Sequence, residues 1–330
     1  MPNEPDHIQL DHGSGGKIAH QLTTDLLLPM LENPLLAKRH DGAILDIGQD
    51  RMALSTDTFT VTPLFFAGGD IGDLAVNGTV NDVAMCGAKP LYLSLALIIE
   101  EGFAMADLKR ILTSIAAAAA AADVKIVTGD TKVVPKGCAD GIFINTTGIG
   151  LIPDGVRIGA DSAVPGDKIV INGAIADHAI TILTQREGLH LQADVRSDTA
   201  PLNHLVARML EASHDIHVLR DPTRGGVGTA LNEIAVQSGV GIEIDEAAIA
   251  VNAAVAGACE LLGFDPLYLA NEGKLLAFVA PHAVDEVLAA MRRNPHGGQA
   301  AVIGEVAVSY THLRAHETRA FISYAVFCLK

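Results

Sequence analysis

A turn-rich stretch over residues 153–165 divides the sequence in two, and each part opens afresh with β-rich runs that give way to helical spacing. Before it, residues 51–62 alternate as a strand. Residues 70–86 carry small and apolar side chains at helical spacing and end on Gly87, a favoured residue just past a helix. Strands are expected over 91–99, 125–128 and 141–148, and an alanine-rich helix over 105–122. After the divide come strands over 168–172, 241–244, 275–279 and 300–305. Helices are expected over 177–187, 200–213, 282–292, and from a glycine loop at 221–226 to about 238. Strands interleaved with packed helices in both halves give an α/β (α+β) class. The domains read as 1–40 (a glycine-rich arm and a helix near 18–31), 41–155, 156–308, and a tail over 309–330 whose composition breaks from the rest.

Charge and composition exclude several roles. The chain has 330 residues and a formal net charge of −16, which argues against a general nucleic-acid binder or an anionic membrane surface as partner. No apolar run reaches the length of a membrane-spanning helix. The start, Met1-Pro2-Asn3-Glu4-Pro5-Asp6, lacks a basic and then apolar leader, so a cytoplasmic protein is expected. Cys86, Cys138, Cys259 and Cys328 are scattered with no C-x-x-C spacing, as in a reduced protein without a structural zinc site.

The chemistry-bearing motifs are acidic and glycine-rich. Neither the P-loop nor the dinucleotide pattern fits His12-Gly13-Ser14-Gly15-Gly16-Lys17, yet its glycines could let backbone N–H groups wrap a phosphate. Asp57 sits in Ser55-Thr56-Asp57-Thr58, Asp82 in Asn81-Asp82-Val83-Ala84, and Asp130 in Gly129-Asp130-Thr131-Lys132. Converging carboxylates could hold Mg²⁺ and through it a triphosphate, and each alone could equally cap a helix or turn. Lys132 shares a face with Asp130 in an extended segment. Asp221-Pro222-Thr223-Arg224-Gly225-Gly226 precedes a helix whose N-terminus favours anions. Glu272, before an apolar strand, is either a general base or a turn glutamate.

As a set, in this order, these segments resemble the HypE family of hydrogenase maturation proteins over about residues 8–308. The motifs include Pro63-Leu-Phe-Phe-x-Gly-Gly-Asp-Ile-Gly, Val127-Thr-Gly-Asp-Thr-Lys-Val-Val, Phe143-Ile-Asn-Thr, Arg220-Asp-Pro-Thr-Arg-Gly-Gly-Val and Ala270-Asn-Glu-Gly-Lys. The resemblance implies a two-domain aminoimidazole ribonucleotide synthetase-like fold, with the N-terminal domain forming a homodimer and a C-terminal α/β domain. It implies ATP and Mg²⁺ as cofactors, bound without a P-loop. The activity it implies is ATP-dependent dehydration of a carbamoylated C-terminal cysteine to a thiocyanate. The carbamoyl group would come from the carbamoyltransferase HypF, and the cyano group would pass to iron on a HypC–HypD scaffold for [NiFe]-hydrogenase. By the same resemblance Asp57, Asp82 and Asp130 are metal positions. Lys132, Glu272 and Asp82 are catalytic. Gly13, Ser14, Gly15, Gly16, Asp57, Asp130, Thr131, Asp221, Arg224, Gly225 and Gly226 enclose the nucleotide.

The end of the chain departs from that pattern. The family ends in Pro-Arg-Ile-Cys, whereas this sequence ends Phe327-Cys328-Leu329-Lys330. From Ser309 the resemblance stops and the text reads like translated adapter sequence, so the carrier thiol is expected to be missing or moved to Cys328. Two other readings stay open: a non-catalytic ATP-binding assembly partner, and a selenophosphate synthetase-like enzyme. The latter needs a reactive cysteine in the first glycine-rich segment, and the first cysteine here is Cys86.

Overall fold

The computed structural model describes residues 17–31, 33, 35, 38–189, 195–308 and 320–321. Two short helices, α1 (Lys17–Gln21) and α2 (Leu28–Leu31), flank a π-helical turn at Leu22–Leu27. A first sheet follows, built from β1 (Ala43–Ile47), β2 (Asp50–Phe59), β5 (Lys89–Glu100), β6 (Lys125–Val134) and β7 (Ile142–Leu151) in the order β1-β2-β7-β5-β6. Only β5 and β6 are parallel. A small hairpin, β3 (Phe65–Phe66) and β4 (Gly69–Asp70), leads into α3 (Ile71–Met85), and α4 (Met105–Ala121) connects β5 to β6.

The start of α3 is capped from its own sequence. The Asp70 carboxylate accepts from the N–H groups of Gly72 and Asp73, and Asp73 accepts from the Asp70 N–H at 3.1 Å. That is a capping box made of two aspartates. Almost every residue of α3 is buried. Its apolar side chains Ile71, Leu74 and Val76 join the core under the sheet, while Val83, Ala84 and Met85 join a core shared with the second half. Among the described residues the first sheet is covered on that side only. Tyr92, Ile98, Val127 and Val133 are exposed, and every residue of β6 except Val134 is open to solvent.

The second half is a three-layer unit. Its sheet contains β8 (Lys168–Ile171), β9 (Ile216–Arg220), β10 (Gly241–Ile244), β11 (Leu276–Val279), β12 (Ala301–Ala307) and β13 (Ala320–Phe321), in the order β13-β10-β12-β8-β11-β9, all antiparallel. Its helices are α5 (Asp177–Arg186), α6 (Asn203–Ala212), α7 (Gly226–Ser238), α8 (Ala253–Leu262) and α9 (Val284–Arg292). Strand side chains alternate in direction. Ile169, Ile171 and Phe278 therefore pack with α5, α7 and α8, while Val170, Ala277 and Val279 pack with α6 and α9. With both faces covered, β11 is apolar throughout, unlike a half-exposed strand.

Besides the two-residue strands β3, β4 and β13, the elements β1, β9 and α8 lie outside the sequence expectation. In β1 the polar Asp46 breaks the run. β9 is short and abuts a turn motif. The window of α8 is nearly all small or apolar, so it carries no amphipathic stripe. β6 is also longer than expected, so Asp130, Thr131 and Lys132 lie within a strand instead of the loop after it.

His178 of α5 is a contact between the halves with a measurable signature. Its ring meets Phe66 edge-on, with centroids 5.7 Å apart, and Nδ1 lies 2.8 Å from Ser197 Oγ. Burial lowers its pKa from 6.5 to about 4, against the pull of Asp198. The unfolded chain therefore binds the proton more readily. The stability contributed is complete above pH 6.5 and is lost as pH falls toward 4. The linkage amounts to at most about 3 kcal/mol. Urea midpoints at pH 7 and pH 4.5 should converge in His178→Gln relative to the unsubstituted chain. An unchanged difference between the two pH values refutes the assignment.

A candidate active site between the two halves

Four segments meet where α3 faces the second half. β2 supplies Ser55 and Asp57, α3 supplies Asp82, the loop after β9 supplies Asp221 to Gly226, and the loop before β11 supplies Glu272. Asp57 falls on the face of β2 that carries the buried Ala53, Ser55 and Phe59. Gly78 of α3 stands opposite. A β-carbon there would lie 2.9 Å from the Phe59 ring and 3.6 Å from Asp57 Oδ2, so glycine allows helix and strand this close.

The site is an excess of buried carboxylate. Asp82 accepts a 2.7 Å hydrogen bond from Ser55 Oγ. Burial, then the charges of Asp221, Asp41 and Asp57, hold its carboxyl well above the usual range. Glu272 is raised well above the usual range by burial and then by Asp198, Asp221 and Asp57, with Arg224 opposing. Burial takes Asp221 to about 6 against the pull of Arg220, and raises Asp57 against the Thr58 N–H and Arg224. Such mutual repulsion among ordered acids in a cleft marks a functional site more often than a packing site.

Beside the acids stands the glycine turn that opens α7. Gly225 and Gly226 take φ of +81° and +64° at the start of α7. A β-carbon on Gly226 would sit 2.5 Å from the Leu267 carbonyl oxygen. The thirteen-residue helix α7 thus starts directly after Arg224, with the Gly226 N–H donating to the Thr223 carbonyl at 3.0 Å, and its positive dipole end lies on the side of Asp221 and Arg224. Carboxylates that favour cations, set against a helix N-terminus that favours anions, suit a metal-bound polyphosphate.

Sequence reasoning had named Asp57, Asp82, Asp221, Arg224, Gly225, Gly226 and Glu272, and these converge. Asp130, Thr131 and Lys132 do not join them within one chain. They lie on β6, separated from β2 by β7 and β5. The side chains of Asp130 and Lys132 are 65% and 71% exposed and pair with each other at 3.4 Å. Among the described residues no three His, Cys, Asp or Glu side chains stand close enough together to hold a metal ion alone. The expected Asp57–Asp82–Asp130 trio is thus not assembled in a single chain. Gly13, Ser14, Gly15, Gly16 and Cys328 lie outside the described residues.

Several participants were missed. Arg220 bonds Asp41 Oδ1 at 2.9 Å and Glu233 Oε2 at 2.6 Å, joining the two halves behind Asp221. Asn271, fully buried, accepts from the Ala176 N–H and donates to the Pro222 and Leu269 carbonyls. It thereby fastens the Glu272 loop to the Asp221 loop. The one available signal was adjacency: Arg220 precedes Asp221 and Asn271 precedes Glu272.

Comparison with known proteins gives a consistent picture. The family described as AIR synthase related protein matches twice, its N-terminal domain over residues 39–152 and its C-terminal domain over 164–311. A carbamoyl dehydratase HypE of Azotobacter vinelandii is 52% identical over 299 residues, covering 91% of this chain and 88% of that protein. A HypE crystallised in complex with ATP is 52% identical, with a TM-score of 0.77 over 92% of this chain and 90% of that one. HypE from a HypE–HypF complex is 47% identical, with a TM-score of 0.85 over 87% of this chain and 93% of that one. No helix among the described residues is long and apolar enough to cross a membrane.

Proposed function

Since the chain belongs to the HypE family of AIR synthase-related proteins, we propose that it is an ATP-dependent carbamoyl dehydratase of hydrogenase maturation. The observation that carries this reading is the meeting of Asp57 and Asp82 with Asp221, Arg224 and Glu272 at the N-terminus of α7. The substrate is a cysteine S-carboxamide. Its amide oxygen attacks the γ-phosphorus of ATP and releases ADP, while an N–H proton leaves for a base. The departing phosphate then carries off the second N–H proton as the C–O bond breaks, and the C≡N bond of a thiocyanate forms. The net change is loss of one water from the carboxamide, with ATP converted to ADP and phosphate.

The residues divide this work. The N-terminal amides of α7 and Arg224 receive the polyphosphate. Glu272 takes the first N–H proton, its raised affinity for a proton suiting it to the role. The donor set fits Mg²⁺ carried by the nucleotide: Asp57, Asp82 and Asp221 offer only carboxylate oxygen, and a dication relieves their repulsion. Mg²⁺ is commonly held by one or two carboxylates plus phosphate oxygens, so no all-protein cage is required. When bound it supplies neutralisation of charge on the transferring phosphoryl group. The two-sided recess limits water, which would otherwise hydrolyse the activated intermediate.

The remaining residues enter through a second copy. The open face and the long unpaired edge at β6 carry Val127, at 59% exposure, and Val133, at 68%. An uncovered edge of this length invites pairing. A homodimer built on it brings Asp130, Thr131 and Lys132 to the nucleotide and the carbamoyl oxygen. Val127→Asp with Val133→Asp should sediment as a monomer and lose turnover. A monomeric double variant with full turnover rejects the shared site. HypF supplies the carbamoyl group and a HypC–HypD scaffold receives the cyano group, in the cytoplasm, where thiols stay reduced.

Titration with Mg·ATP, followed by ADP release with and without an S-carbamoylated peptide ending in Pro-Arg-Ile-Cys, tests the whole reading. Binding, with release that depends on the peptide, is expected. Binding with no release under any condition favours an assembly partner.

A further inference from the structure

Asn81 and Asp82 are consecutive on α3 and face different neighbours. Asp82 looks into the carboxylate cluster. Asn81 is 1% exposed, and its side chain bonds across to the second half. Its Nδ2 donates to the carbonyls of Ala200 at 3.0 Å and Glu272 at 3.3 Å, and its Oδ1 accepts from the Leu202 N–H at 2.8 Å. The other side of the Glu272 peptide is held as well. Its N–H donates to Asp198 Oδ1 at 3.1 Å, and Asp198 Oδ2 accepts from the Gly273 N–H at 3.3 Å and from Lys274 Nζ at 2.8 Å. The fit leaves no slack: a β-carbon on Gly273 would lie 1.8 Å from the Asp198 carbonyl oxygen. The main-chain N–H and C=O of Glu272 are thus each bonded to a side chain, and one of these belongs to the residue next to Asp82.

We propose that Asn81 is a positioning residue for the dehydration step, setting the reach of Glu272 from the phosphoryl-transfer site through its hydrogen bond to the Glu272 carbonyl. The inference rests on the role of Glu272 given above. A proton acceptor on the second half and a phosphoryl donor held in part by Asp57 and Asp82 of the first half must address one small carboxamide together. Asn81 and Asp82 give both a common reference on one rigid helix. Rate is sensitive to such placement, since a 1 Å error can cost on the order of a hundredfold.

The test uses the full chain with Mg·ATP and the S-carbamoylated peptide ending in Pro-Arg-Ile-Cys. Two variants are compared. Asn81→Asp keeps the acceptor for Leu202 but loses both donors. Asn81→Ser is smaller and uncharged, and serves if the aspartate variant does not fold. In the variant that melts cooperatively, kcat should fall roughly tenfold to a hundredfold. ATP affinity by calorimetry and the KM for ATP should stay within about twofold, because nothing that holds the nucleotide has changed. Unchanged kcat overturns the proposal. So does a parallel loss of kcat and ATP affinity, which marks a purely structural residue. Glu272→Gln serves as the control: if it turns over at full rate, the general-base reading fails first and this inference falls with it. If Glu272→Gln is inactive while both Asn81 variants work normally, only this inference fails.

Discussion

Glu272→Gln is expected to bind Mg·ATP as the unsubstituted chain does and to lose about 10²–10⁴-fold in dehydration rate, the span over which a positioned general base contributes. The expectation follows from what the side chain touches. Its peptide is fixed by Asp198 and Asn81, and its carboxyl is surrounded by Asp198, Asp221 and Asp57. Glutamine keeps the shape and removes only the capacity to accept a proton. Because the glutamate is held well above its usual range, it is costly to keep charged in the free protein. The glutamine variant should therefore be no less stable than its parent at pH 7. Single-turnover phosphate release with the carbamoylated peptide, alongside calorimetric ATP binding, measures both halves of this statement. Equal loss of binding and rate would show that Glu272 belongs to the nucleotide seat instead.

Asp82→Asn should separate stability from binding even more sharply. The asparagine can still accept from Ser55 Oγ, so the local packing survives. It no longer faces Asp221, Asp41 and Asp57 as a fourth acid. The sign follows from the raised pKa. The folded state binds a proton at Asp82 more readily than the unfolded state, whose ordinary value is 3.8. The difference costs stability above that value and disappears as pH falls to 3.8 and below. The nucleotide-free variant should accordingly be more stable than its parent at pH 7, with the gain shrinking in acid. Mg·ATP affinity should move the other way and drop roughly tenfold to a hundredfold, the worth of one charged interaction. Urea unfolding at pH 7 and pH 4, with calorimetry at pH 7, checks the pair. Unchanged affinity removes Asp82 from the site.

The parts of this molecule that were legible in advance are those whose cause is local. The helical spacing over 70–86 and Gly87 mark α3 and its end, and the alternation around Asp57 marks β2. The glycine pair at the start of α7 marked a tight turn into that helix because positive φ and close approach are properties of the glycines themselves. Asp41 could not be found this way. Its importance comes from Arg220, far along the chain and paired with it at 2.9 Å. Asn81 and Asp198 act through the backbone of Glu272, an interaction with no motif of its own. Asp130 and Lys132 show the reverse case. Their spacing correctly put both on one face of an extended segment, where they pair at 3.4 Å. Spacing within a chain says nothing about which strand becomes the sheet edge, and β6 is that edge.

The most direct test is the mass of the product. The chain is given the family's Pro-Arg-Ile-Cys ending in place of residues 309–330, its terminal cysteine is carbamoylated, and it is incubated with Mg·ATP. Intact-mass analysis should show loss of one water from the carbamoylated cysteine, giving a thiocyanate, only when ATP is present and not in Glu272→Gln. ATP consumed to ADP with the carboxamide left intact, or converted back to a free thiol, would contradict the dehydratase account.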